Sequence, residues 1–302
     1  MNYKKIIPSQ KLRFTLLRLL SFLPDRVMLQ LQYYIKMGKK IDFQKPRYWT
    51  EKLQLYKMYY RNPLLGICVD KYMVRDYITQ KGLAENLVKL YGVYSNAEDI
   101  NIDTLPTQFV LKTTDGSGGN NIIIVKDKSL LDISSLKKKL NSWINIKDIN
   151  AGREWAYTQI GKSQIIAEEL LINESNPECG IEDFKILCFH GEPKYIIVDK
   201  DRYIDHKRNF YDVEWNKIDV TTDHSQFDTI YPKPDNLEEM LRISSILSKD
   251  FPFVRVDLYN INGNIYFGEL TFYPWSGYVK FDPKDFDKHL GSLLDENTFC
   301  SH

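Results

Sequence analysis

Two carboxylates near the C-terminus are the first candidates for chemistry. Asp257 stands in VRVDLY and Glu269 in FGELTFYP, on either side of the turn signal Asn262-Gly263. Asn-Gly between apolar runs predicts a hairpin, so the two strands should lie side by side with the acids facing across the ladder. Facing carboxylates repel unless a cation sits between them, and Mg²⁺ carrying nucleotide phosphates favours such a pair. Arg255 lies two residues before Asp257, hence on the same face, where it could hold a transferring phosphoryl oxygen. The same hairpin also suits a plain surface salt bridge.

Further candidates lie upstream. In FVLKTTDGSGGNN, Phe109–Asn121, Lys112 ends a strand just before a loop holding Gly116, Gly118 and Gly119. Glycines let backbone amides approach phosphate oxygens, and a lysine adds a point charge. Neither GxxxxGK[ST] nor GxGxxG leading into a helix is present; the loop joins two strands, as a flap over a ligand or simply a flexible hairpin. IIAEELL puts Glu168 and Glu169 after an apolar strand, where consecutive residues face opposite ways. EDFKILCF puts Lys185 on a strand among apolar neighbours, either snorkelling at an edge or held for an anion. A basic cluster, Lys200, Arg202, His206, Lys207 and Arg208, is interleaved with aromatics. It suits an anionic or sugar-like substrate or a solvated loop.

The elements that must position these residues follow from periodicity. Residues 1–62 read as helical, and Asn62-Pro63 opens a further helix over 64–81, closed by Gly82. Strands are predicted at 109–112, 122–125, 165–171, 184–189, 194–198, 253–259 and 265–270, with helices at 130–143 and 236–247. Mixed helices and hairpins give an α+β class with largely antiparallel sheets.

Composition bounds the rest. With 302 residues, 43% hydrophobic and 27% charged, the chain can bury a sizeable core. A formal net charge of +1 argues against nucleic acid as a partner. Cys68, Cys179, Cys188 and Cys300 form no CxxC pair, which argues against a zinc site and suits a reducing cytosol. Within residues 1–24, Lys4, Lys5, Lys11, Arg13 and Arg18 alternate with apolar residues at helical spacing. Such a helix would pack on the protein's own body or lie peripherally on an anionic membrane.

Taken in order, a lysine strand, a Gly-rich flap, a helix, an acidic hinge strand, a second lysine strand and an Asp/Glu hairpin resemble the ATP-grasp superfamily. More closely, the chain resembles the TupA-like ATP-grasp family, named for teichuronopeptide biosynthesis and found among capsule and O-antigen assembly proteins. The resemblance runs from about Pro46 to Gly277 through PRYWTEKLQLYK, VDKYMVRDYI, VLKTTDGSGGN, EDFKILCFHGEPKYI, VRVDLY and FGELTFYPWSG. It implies an ATP-grasp fold: a helical region 1–62, a preceding segment 63–107, and two α+β subdomains, 108–171 and 172–302, gripping ATP. It also implies that Lys112 and Lys185 hold phosphates, with Ser117, Gly118, Gly119 and Asn120 as the flap. Glu168, Glu169, Leu170 and Leu171 become the adenine hinge, Asp257 and Glu269 ligands to Mg²⁺, and Arg255 the acylphosphate arginine. Where many relatives carry a metal-binding Asn, this chain has Thr271, a poorer magnesium ligand. The position of the basic cluster makes Arg202, His206 and Arg208 candidate substrate contacts.

The implied reaction is ATP-dependent ligation of a carboxylate to an amine through an acylphosphate, with saccharide-linked substrates such as a hexuronate. No protein nucleophile is needed, in keeping with the lack of a Ser/His/Asp or Cys/His constellation. The rivals are a glycosyltransferase, with Asp199-Lys200-Asp201 as a loose DxD, a phosphotransferase of the same superfamily, and a non-catalytic scaffold.

Overall fold

The computed structural model describes Thr15, Leu17 and residues 19–116, 121–144, 152–173, 180–200 and 205–300. Helix α1, Asp25–Met37, follows Pro24 and ends at the left-handed Gly38. Helix α2, Trp49–Tyr59, opens where the Glu51 carboxylate accepts the N–H groups of Arg47 and Tyr48 at 3.1 and 3.3 Å. The stretch 64–81 is two helices, α3 (Leu64–Val69) and α4 (Val74–Gln80). The break lies at Asp70, whose carboxylate accepts from the N–H of Tyr72 and Met73 at 2.8 and 2.9 Å, a local bond that competes with the helical ladder.

The first sheet is antiparallel, in the order β1 (Leu90–Tyr94), β4 (Ile165–Glu168), β2 (Phe109–Thr113), β3 (Ile122–Val125). Strand β1 was not expected: LYGVY is half-buried along its whole length, so no alternation marks it. Phe109, Leu111, Ile165 and Ala167 share one core with Leu136 and Leu140 of helix α5, Ile133–Ile144. Side chains alternate along a strand, so this core turns Lys112 and Glu168 to the opposite face.

The second sheet runs β10 (Asn264–Thr271), β9 (Phe253–Ile261), β5 (Asp183–Phe189), β6 (Glu192–Lys200), β7 (Lys207–Asp212), β8 (Lys217–Ile218). Its core takes Leu237, Met240, Ile243 and Leu247 from the helix Leu237–Ser248, and Trp49, Leu53 and Tyr56 from α2. Strand β7 falls within the charged stretch where a solvated loop was one expectation. It forms because Phe210 and Tyr211 are buried and Arg208 is ion-paired. No described helix is long and apolar enough to cross a membrane.

Between α2 and the end of β10 lies a left-handed turn, with Trp275, Ser276 and Gly277 at φ 50, 55 and 68°. Left-handed backbone at Trp and Ser is costly and persists only where surroundings enforce it. Here the Lys57 ammonium donates to the Ser276 carbonyl and hydroxyl, each at 2.8 Å, and Gln54 donates to the Gly277 carbonyl at 3.0 Å. Burial pushes that ammonium down to about 8, with Glu154 opposing.

The last helix, Asp285–Leu293, seats Gly291 against the start of α2, where a β-carbon would lie 2.2 Å from the Arg47 carbonyl and 2.8 Å from the Trp49 nitrogen. Gly291→Ala should therefore cost about 1–3 kcal/mol in urea unfolding. Gly161→Ala, with open space around it, should leave the midpoint nearly unchanged.

Candidate functional site

Lys112 and Glu168 meet on the face of the first sheet opposite its core. Their ion pair closes at 2.5 Å, and Arg75 of α4 reaches the other carboxylate oxygen of Glu168 at 3.3 Å. Glu168 is buried and engages both cations, whereas Glu169 extends the sheet by donating its N–H to the Lys89 carbonyl at 2.9 Å. Leu170 and Leu171 follow, half-buried. The proposed flap residues Ser117, Gly118, Gly119 and Asn120 lie outside the described residues, as does Arg202.

Two adjoining clefts, of about 300 and 280 Å³, join this face to the edge of the second sheet. Lys71, Gly116, Tyr157 and Glu269 line the first; Lys71, Arg75, Lys112, Glu168 and Phe267 line the second. Gly268 borders both, and a β-carbon there would sit 3.0 Å from the Asp257 carbonyl oxygen. Lys71 stands at the junction and donates to the Gly116 carbonyl; burial pushes its ammonium down, with Glu269 opposing. Lys71 and Arg75 were not singled out from sequence. Both belong to VDKYMVRDYI, and a lysine beside the Asp70 helix break was the available signal.

Across the second sheet runs a row of charges, set by register. Glu269 pairs with Asp257, Asp257 with Lys185, Asp183 with Asp199, and Asp199 with Arg208. The two hairpin acids do face each other, with the Arg255 guanidinium joining them. It holds Asp257 with two bonds of 2.6 Å and Glu269 with one of 3.0 Å. Thr271 donates to Glu269 at 2.9 Å and accepts from Arg255 at 3.1 Å. Lys185 is hydrogen-bonded to Asp183 and sits 3.1 Å from Asp199 and 4.0 Å from Asp257.

Carboxylates outnumber cations in this row, and the acids respond differently. Burial disfavours the charge of Glu269, yet Arg255 and Lys71 outweigh it and hold the carboxyl down at about 2. Asp199 is likewise held well below the carboxylate range, as Lys185 and Arg208 overcome its burial. Burial wins at Asp257, pushing its carboxyl up against the pull of Arg255 and Lys185, with Asp183 and Glu269 repelling it. Such a row has room electrostatically for one more cation at the Asp257–Glu269 end.

Of the basic cluster, Arg208 is buried and committed: it grips Asp199 at 2.6 and 3.1 Å and Asp223 at 2.5 Å. The His206 Nε2 lies 3.2 Å from Asp199, with the ring 3.7 Å from that of His224. Burial lowers its pKa, favouring a neutral imidazole able to take up a proton.

Two antiparallel sheets meeting over a cleft of basic and acidic side chains is the ATP-grasp arrangement. The chain belongs to the TupA-like ATP-grasp family, whose model matches residues 51–295. No curated protein matches it. Among solved structures it is similar to D-alanine–D-alanine ligase from Bacillus anthracis, at 19% identity and a TM-score of 0.43, over 68% of this chain and 57% of that one. The same ligase complexed with ATP matches at 17% and 0.45, over 77% and 65%. L-amino acid ligase from Bacillus licheniformis matches at 16% and 0.47, over 76% and 49%. The chain thus spans less than two thirds of the length of each.

Arg255 is the test of the charge row. Arg255→Met should cost about 3–5 kcal/mol in urea unfolding, because it strands the buried Asp257 carboxylate. Adding Asp257→Asn should recover part of that loss. A single-variant cost under about 1 kcal/mol would show that the pair contributes little.

Proposed function

We propose that the chain is an ATP-dependent carboxylate–amine ligase that works through an acylphosphate. The observation that carries this reading is the position of Lys71 at the junction of two adjoining clefts, one lined by Lys112 and the other by Glu269, itself tied through Arg255 to Asp257. Lys112 and Lys71 would hold the phosphates, and Phe267 would pack against the base. The segment Glu169–Leu171 would supply its hydrogen bonds. Lys185, inside the row, would act by neutralising Asp257.

Magnesium fits the hairpin. Among the described residues no three or more His, Cys, Asp or Glu form a metal cage. Mg²⁺ needs none, because it takes one or two carboxylates, phosphate oxygens and waters. Asp257 and Glu269 would hold it, while Thr271, bonded to Glu269, would steady that carboxylate. When bound, the metal would neutralise charge on the transferring phosphoryl group.

In the reaction proposed, a substrate carboxylate oxygen attacks the γ-phosphorus and ADP leaves. The amine then attacks the acyl carbon, and inorganic phosphate leaves as the amide forms. Arg255 would move from Glu269 onto the phosphoryl oxygens, and His206, with Asp199 behind it, would take the proton from the attacking amine. Catalysis would rest on positioning and charge neutralisation. A saccharide-linked carboxylate is the substrate class that the family resemblance favours.

Purified protein should release ADP and phosphate only when Mg²⁺, a carboxylate and an amine are all present, measured by coupled assay with product mass. Lys112→Ala should raise the KM for ATP roughly tenfold. Asp257→Ala and Glu269→Ala should each abolish turnover, and full ligation by both would refute the metal assignment. A thermal shift with UDP-sugar but none with ATP and Mg²⁺ would favour the glycosyltransferase reading.

A further inference from the structure

Tyr157 is a polar side chain at the cleft that the reaction proposed above leaves without a role. It lines the cleft of about 300 Å³ together with Lys71, Gly116 and Glu269. Among the described residues its hydroxyl has no hydrogen-bond partner, although polar groups inside proteins are as a rule paired. Glu154, Glu269 and Arg255 all stand within electrostatic reach of it. The hydroxyl is thus offered to the end of the cleft nearest the charge row.

Its position is fixed by the surrounding body. Tyr157 lies on the single helical turn Trp155–Thr158, in which Ala156 is fully buried and the Trp155 ring lies 5.2 Å from the Arg61 guanidinium. Just before that turn, Glu154 accepts from the Ser276 hydroxyl and lies 3.6 Å from the Lys57 ammonium. These contacts tie the phenol to the left-handed turn after β10, and so to the strand that carries Glu269. The two clefts differ in what they would hold. Glu168, just before the Glu169–Leu171 segment, borders only the second, which makes that the base end. Glu269 and Gly116 border only the first, which makes that the phosphate end, and Tyr157 stands there with them.

We infer that Tyr157 is a further catalytic residue, donating its O–H to the terminal phosphoryl group of the bound nucleotide. This rests on the nucleotide reading above and adds one contact to it. A phenol is a neutral donor near pH 7. Burial, with Glu154 and Glu269 beside it, pushes its pKa further up, so it stays protonated. A neutral donor suits this place, because it adds a hydrogen bond to the phosphoryl oxygens without another positive charge competing for Glu269. As the phosphoryl group passes from ADP to the carboxylate oxygen, the phenol keeps its own proton. Held in place before the nucleotide arrives, it needs little reorganisation to act.

Calorimetric titration of the full chain with Mg²⁺ and either AMP-PNP or ADP tests it, since only the first carries the terminal phosphoryl group. Tyr157→Phe should weaken AMP-PNP binding roughly tenfold and leave ADP binding within about twofold of the wild type. Its urea midpoint should match the wild type's, because only one oxygen is lost. A second readout does not depend on that variant. With 3-fluorotyrosine at position 157, the fluorine resonance should move on adding AMP-PNP and Mg²⁺ and stay nearly in place with ADP and Mg²⁺. Unchanged AMP-PNP affinity in Tyr157→Phe, an equal loss for both nucleotides, or a resonance indifferent to the terminal phosphate would overturn the inference and leave the ligase reading standing. A wild type that binds neither nucleotide would overturn both.

Discussion

A carboxylate inside a sheet is tolerable only beside a cation, and the second sheet of this protein meets that condition across neighbouring strands. Glu269, Asp257 and Lys185 lie in register from β10 to β5, and Asp183, Asp199 and Arg208 from β5 to β7, the two runs joined by the Lys185–Asp183 bond on β5 and Arg255 bridging Asp257 and Glu269. Each charge is affordable only because of the next, so side-chain positions along the row are mutually fixed. Replacing buried ion pairs with well-packed apolar residues of similar volume is often neutral or stabilising. The row's presence in an otherwise apolar core is therefore better explained by what its open end can bind than by stability.

The first sheet contributes by contrast. Its core takes Phe109, Leu111, Ile165 and Ala167, so alternation alone delivers Lys112 and Glu168 to the cleft. Glu168 then holds Lys112 and Arg75 together, keeping two like charges close enough to act on one anion. The clamp is completed from the helical side. Asp70 breaks the helix just before Lys71, and α2 pins the left-handed turn after β10 through Lys57 and Gln54. Helices that precede the sheets in sequence thus hold both Lys71 at the cleft and the turn that follows β10.

Much of this was legible in the sequence. Asn262-Gly263 between two apolar runs foretold the hairpin; the residue count from that turn would set Asp257 opposite Gly268, and a register shift between Phe267 and Glu269 brings Glu269 opposite it instead. Short runs of β-branched, aromatic and other apolar residues in FVLKT and IIAE marked their strands. Strand β1 escaped because its residues are uniformly half-buried, leaving no period. Strand β7 escaped because Lys207 and Arg208 made it resemble a surface loop, although Arg208 lies inside, paired with Asp199 and Asp223. Long-range ion pairs have no local signature. For the same reason Arg75 has no local mark as a site residue, and Glu168 none as the common counterion of Arg75 and Lys112.

The central claim is that the Asp257–Glu269 hairpin, bridged by Arg255, is a nucleotide–metal site. A crystal structure with a non-hydrolysable ATP analogue and Mg²⁺ tests it most directly. The account predicts a magnesium ion bound by Asp257, Glu269 and phosphate oxygens, Lys71 and Lys112 on the phosphates, and Arg255 turned from Glu269 toward the γ-phosphate. A nucleotide bound elsewhere, or bound in the cleft with Arg255 still locked to both carboxylates and no metal beside them, would contradict it.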